Sequence, residues 1–248
     1  SNGISAAYGW HAAAWTLSGM VVFIGLPLVW TAARYLESEH QKNTAAEATK
    51  PQTAKVAGHT SRSLLKTPSF WFLALGFALL GSNHGLLLNH ILPILDDRGL
   101  SADAAVLAAS MIGPMQVAGR LAMMAAERRV SSHTIATMCF VAVIAAGSAL
   151  FMSQTIPTLV VMFVIFQGSG HGVSSIMRPV ITKEVLGTRN FGAISGTVAV
   201  PYLTMWALAP VTGSILWEVG GYDLAIMVAI GAAVTGLIFY RIAVKLSA

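Results

Sequence analysis

Polar side chains are scarce inside the long apolar stretches of this chain. Those that do occur there mark where chemistry can happen, because an unpaired polar group at membrane depth is costly. Between residues 70 and 95, Ser82, Asn83, Asn89 and His90 form two neighbouring stripes, since residues seven apart return to within about 20° on a helix of 3.6 residues per turn. Asn83 falls near the middle of that stretch, and His84 lies about 100° from it. A face carrying Asn83 and His90 could line a cavity for a polar solute, or bond helix to helix beside Gly81 and Gly85. Further along, Gln167, His171, Ser174 and Arg178 fall at i, i+4, i+7 and i+11, one continuous stripe. That stripe reads as a wetted wall, or as packing around Gly168, Gly170 and Gly172 with Arg178 snorkelling. A neutral histidine on such a wall can relay a proton.

Arg120 is the one full charge well inside an apolar stretch. It lies seven residues before Glu127, so its Cα is about 10 Å from that end of a helix. It either stretches toward that end as a gate or anchor, pairing with Glu127 beside Arg128, or meets an anion from the wall of a cavity. A guanidinium can hold a carboxylate through two hydrogen bonds where a lysine offers a point charge. Pro201 and Pro210 are expected to kink their helix, and the methionines, Met123 and Met124 among them, read as filler.

No catalytic constellation is present. Ser195 is the best nucleophile candidate, but Ala193 stands where a G-x-S-G turn needs glycine. The last apolar stretch holds no lysine for a Schiff base. Phosphate loops, zinc spacings and dinucleotide fingerprints are absent, so neither an enzyme nor a cofactor or metal is expected. The single cysteine, Cys139, reads as packing.

Seven apolar stretches must position these residues: 12–33, 70–95, 104–126, 134–152, 157–177, 191–217 and 224–240. With 55% hydrophobic and 10% charged residues and a mean hydropathy of +0.69, the chain is far poorer in charge than soluble domains. All but the last stretch approach or exceed the roughly 20 residues that cross a bilayer core. Apolar on all sides, they read as helices rather than barrel strands, so the expected fold is an all-α membrane protein of seven spans.

The fifteen Lys and Arg residues set an orientation. Arg34, Lys42, Lys50, Lys55, Arg62 and Lys66 follow the first stretch, Arg128 and Arg129 the third, Arg178, Lys183 and Arg189 the fifth, and Arg241 and Lys245 the seventh. These are alternate connections, and the opposite ones hold only Arg98 among Asp96, Asp97, Asp103, Glu218 and Asp223. The bias places the C-terminus in the cytoplasm and the N-terminus outside, and it accounts for the net charge of +5 without nucleic acid as a partner. The organisation read from this is a lone span at 1–33, a cytoplasmic linker at 34–69 and a six-helix bundle at 70–248. The chain begins without Met or a signal peptide, so the expectation is that it is cut from something longer.

Local motifs add a family resemblance. Gly9-Trp10-His11 resembles the "GWR" often found before the sixth helix of major facilitator proteins, and "GRLAMMAAERR" from Gly119 resembles their G-R-x-x-x-G-x-x-x-D-R signature. "HILPILDDRGLSADAA" from His90 resembles the seventh helix and following turn of the monocarboxylate and oxalate/formate-like branch. "FGAISG" from Phe191 and "APVTGSILWEVGGY" from Ala209 resemble the eleventh helix and the turn after it. Met124 stands where the signature has Gly, Glu127 stands one residue before the position of its Asp, and the sixth stretch lacks the lysine of oxalate/formate exchangers.

The resemblance implies the C-terminal half of a major facilitator secondary transporter with the helix preceding it, a multi-pass protein of the cell membrane, such as a bacterial inner membrane. It implies alternating-access transport of a small organic solute, with a monocarboxylate-like anion and a coupled proton as candidates. It also implies a missing N-terminal helical bundle as partner, besides the lipid bilayer. Monocarboxylate-type relatives carry an arginine in the helix matching that of Arg120, which favours the anion-contact role. The alternative is a non-transporting remnant or regulatory half that binds a partner bundle.

Overall fold

The computed structural model describes residues 65–188 and 190–247, together with scattered positions between His11 and Arg34. The chain divides into two compact units, Ser1–Val56 and Ala57–Ala248. The described positions of the first unit are helical. Most of the expected lone span and of the linker lies outside the described residues.

The second unit is all-helical among its described residues: α1 (Pro68–Asn89), α2 (Ile91–Asp97), α3 (Ala102–Ala126), α4 (Ser132–Met152), α5 (Leu159–Leu186) and α6 (Phe191–Ser247). Local chemistry sets the boundaries. Pro68 begins α1, where its missing N–H costs nothing. Ser101 and Ser131 cap α3 and α4, their hydroxyls accepting from the backbone N–H of Ala104 and Thr134. Asp103 adds a favourable negative charge to the first turn of α3. The expected second span breaks at His90, because Pro93 lacks the N–H that Asn89 O would accept, and α2 continues beyond the break.

Five of these helices are long and apolar enough to cross a membrane. The last has 57 residues, about 85 Å at 1.5 Å per residue, nearly three bilayer cores. It is interrupted at Gly220 (φ −154°) and Gly221 (φ 70°), the second in the left-handed region that glycine adopts without penalty. The two arms, 191–219 and 222–247, are each about 40 Å long and supply two passes. The final pass is therefore longer than the 17 residues 224–240, because helix geometry carries it past the point where Arg241 and Lys245 end the apolar run. The chain is an all-α, multi-pass membrane protein.

α1 lies at the centre, packed chiefly against α6, while α5 is packed against α3 and α4. Two apolar clusters fill the bundle. Phe70, Phe77, Phe140, Ile181 and Tyr240 belong to one, at the end carrying Glu127 and Arg128; Leu87, Ile94, Leu150, Phe163 and Ile226 belong to the other, at the end carrying Arg98. α3 and the first arm of α6 leave large apolar side chains exposed, among them Leu107, Val117, Leu121, Val200, Leu203 and Val211. Water does not stabilise such a surface, which requires lipid or another apolar surface.

Candidate functional site

Glycines bring α3 and α5 into backbone contact and so position the site. Gly168 and Gly172 form a small-x-x-x-small ridge on α5, and Gly119 faces it from α3. A Cβ on Gly119 would lie 2.6 Å from Ser169 Cα, and one on Gly168 would lie 2.7 Å from Ile112 O. Arg120 directly follows Gly119, so its side chain starts where the helices touch. Its Nε donates to Gly172 O at 3.1 Å, and its Nη2 to Ser175 Oγ at 3.4 Å. Ser175 Oγ itself donates to Gly172 O at 2.8 Å, which fixes the hydroxyl beside the guanidinium. Arg120 is nevertheless exposed, as is Ser175. The two ion pairs among the described residues involve other groups, so Arg120 is paired neither with Glu127 nor with any other described carboxylate. Glu127 and Arg128 sit exposed just past the end of α3.

A second polar group lies deeper, between α1, α5 and α6. Asn83 and Gln167 are almost fully buried, and Asn83 Nδ2 donates to Ala229 O at 2.8 Å. Gln167 Nε2 donates to Asn83 Oδ1 at 3.2 Å and lies 3.2 Å from His84 Nδ1. His84 in turn stacks on His171, with ring centroids 3.4 Å apart and planes 4° from parallel. Ser174 is buried and spends its hydroxyl on His171 O, at 2.8 Å. The stripe Gln167, His171, Ser174 and Arg178 therefore changes character along its length: Gln167 and Ser174 face the bundle interior, whereas His171 and Arg178 are half-buried.

The remaining candidates sit on α6 or at its contacts. Arg178 lies over the ring of Tyr202 at 4.0 Å, a cation–π contact, and Cδ2 and Cε2 of that ring pack on Gly81. Pro201 adjoins Tyr202. His90 reaches the other proline: its Nε2 is 3.0 Å from Pro210 O, and its ring fills the space a Cβ on Gly213 would occupy. His90 is thus far from Asn83 in role, tying the α1 break to α6.

Sequence spacing missed two members, Ser175 and Tyr202, and set a third, His84, to one side. His84 is off the Asn83 stripe, and only the approach of α5 gives it a partner. Ser175, four residues after His171, shares its face, a signal the i+7 choice of Ser174 passed over. The arrangement offers an exposed guanidinium with hydroxyl support for an anion, backed by a buried amide and imidazole network. A separate recess of about 450 Å³ between α3 and α5, lined by Leu107, Met111, Met115, Val161, Val164 and other apolar residues, includes none of these site residues. No group of metal ligands occurs among the described residues.

Residues 1–210 match the family model described as Major Facilitator Superfamily. No curated protein matches the chain at a significant level.

Proposed function

The chain belongs to the Major Facilitator Superfamily of membrane transporters, and from that premise we propose that it supplies one wall of the solute pathway of a secondary transporter. The solute is a small organic anion of the carboxylate class, and it moves by alternating access between this bundle and a second one facing it. The observation that carries this reading is Arg120: a guanidinium inside the span of α3, exposed, anchored at Nε by Gly172 O and with no carboxylate partner among the described residues. Nε held on Gly172 O and one N–H of Nη2 on Ser175 Oγ leave the Nη1 N–H groups and the second N–H of Nη2 to present a planar fork, the geometry that suits a carboxylate. Ser175, its hydroxyl hydrogen given to Gly172 O, accepts from Nη2 and so steadies the guanidinium. The exposed apolar side chains of α3 and the first arm of α6 suit lipid and the opposing bundle. The end carrying Arg128, Arg129, Arg241 and Lys245 is cytoplasmic in this reading.

The test is uptake of a panel of small carboxylates by cells producing the full-length transporter with both bundles, comparing Arg120→Lys with the unsubstituted protein. The expected result is an apparent affinity weaker by about 10- to 150-fold, equivalent to about 1.5 to 3 kcal/mol for a charge-assisted hydrogen bond, with normal membrane insertion. Lysine keeps the charge and reaches as far, so a mere anchor would tolerate it. An unchanged affinity removes Arg120 from the substrate path.

A further inference from the structure

A buried imidazole stacked on a half-buried one is an expensive way to fill space between helices, since apolar side chains would pack there without polar atoms to satisfy. The hydrogen bonds of His84 and His171 are also unequal. Asn83 Nδ2 donates to Ala229 O, which turns Asn83 Oδ1 toward Gln167. Gln167 Nε2 therefore gives one hydrogen to that oxygen and has its second for His84 Nδ1, 3.2 Å away. His84 Nδ1 is thereby an acceptor, and the ring is neutral with its hydrogen on Nε2. A proton on Nδ1 would set N–H against N–H and break the relay. His171 carries no such constraint: its Nδ1 is buried with no hydrogen-bond partner among the described residues, and Gln167 Oε1 is in the same condition.

We propose that the stacked pair is a binding site for one proton, carried by His171, with His84 held as a neutral partner by the Ala229–Asn83–Gln167 relay. Rings 3.4 Å apart and parallel suit a single charge, because two imidazolium faces repel while the π-face of a neutral ring attracts a cation. The protons of such a pair belong to both rings, and the relay decides which ring charges.

The groups facing His171 give the proton a use. α1 presents His84; α3 presents Arg120, bonded to the adjoining Gly172 O; α5 itself carries Arg178, seven residues on; and Tyr202 of α6 lies under Arg178. α4 meets this part of α5 through Cys139, Ala142 and Val143, on the side of Gly170. The ion pairs among the described residues, Arg98–Asp223 and His133–Glu184, include none of these groups. A proton on His171 therefore joins two guanidiniums that have no paired carboxylate among the described residues, and an anion on Arg120 supplies the balancing charge. Proton and anion are held better together than apart, which makes the pair a coupling site. That coupling role rests on the transporter reading; the proton site does not.

The test is nitrogen-15 NMR of the full chain in lipid nanodiscs, with histidine labelled and imidazole shifts followed from about pH 4 to pH 8, a range spanning ordinary and shifted histidines. Resonances are assigned with His84→Gln and His171→Gln, and with His171→Asn should the glutamine variant fail to insert. Within the pair, only His171 is expected to pass to the charged pattern, taking up one proton, while His84 keeps its Nε2–H tautomer throughout. These shifts are read whether or not the chain moves a solute, so failure of the transport reading leaves the outcome interpretable. A His84 that charges, a pair that takes up two protons, or a His171 that stays neutral across the whole range overturns the proposal.

Discussion

The backbone of Gln116 on α3 lies directly over Gly172 on α5, so that a Cβ on Gly172 would stand 2.5 Å from Gln116 O and 2.7 Å from its Cα. Neither atom can step aside as a flexible side chain would. Gly172→Ala is expected to push α3 away and to lengthen the bond from Arg120 Nε to Gly172 O, at a cost of about 1 to 3 kcal/mol, the usual range for overpacking. Gly192→Ala, with open space around its position, is the control and should change stability by less than about 0.5 kcal/mol. Thermal melting in detergent measures both. Equal melting temperatures for the two variants would mean that α3 and α5 are not in backbone contact.

Arg98 forms the other tie that local sequence conceals. Its side chain is fully buried and pairs with Asp223, which stands just after the Gly220–Gly221 break, while Nε and Nη1 have no partner among the described residues. Asp223→Ala leaves a buried cation unpaired and is expected to cost about 1.5 to 3 kcal/mol. The double variant Arg98→Met with Asp223→Ala removes the charge as well and should recover part of that loss. A double variant no more stable than Asp223→Ala alone would show that the burial of Arg98 does not set the cost.

These two ties show what the sequence carried and what it withheld. The helices were legible because crossing a bilayer demands long apolar runs whatever the fold, and the runs at 104–126 and 134–152 lie within α3 and α4 to within two residues at each end. Where hydropathy and helix geometry part company the reading slipped: the run ending at residue 177 belongs to a helix that continues through Arg178 and Lys183 to Leu186. Counted by charge, Arg98 was a lone cation among acids, and only the fold reveals that one of those acids holds it. Partner choice depends on which helix approaches, and nothing in the 100° between Asn83 and His84 says that α5 brings His171 onto the second rather than the first.

Charge bias also makes a topological claim that can be measured. Cys139 is buried, so the protein offers little background to a thiol reagent. Single cysteines at Glu218 and Arg129, both exposed and at opposite ends of the bundle, should react with an impermeant maleimide from opposite sides of the membrane, Glu218→Cys from outside and Arg129→Cys from the cytoplasm. Labelling of both from one side would break the six-pass arrangement of α1 to α6.

Tyr202 offers the last prediction, because it is wedged between a backbone and a charge. One side of its ring packs so closely on Gly81 of α1 that a Cβ there would lie 2.6 Å from Tyr202 Cε2, and Arg178 of α5 lies 4.0 Å from the ring centroid. The ring thus joins three helices at the point where Pro201 removes a hydrogen bond from the first arm of α6. If the ring face supplies the tie, Tyr202→Phe should lose little, since phenylalanine keeps the shape and most of the cation–π attraction. Tyr202→Leu should lose about 0.5 to 2 kcal/mol, the value of that attraction at a partly desolvated site, with further loss from imperfect filling beside Gly81. Arg178→Met combined with Tyr202→Leu isolates the pairwise part: with the cation gone, the leucine substitution should cost less than it does alone. Melting of the unsubstituted protein, Arg178→Met, Tyr202→Leu and the double variant completes the cycle, and strictly additive losses would mean that Arg178 and Tyr202 are neighbours without being partners.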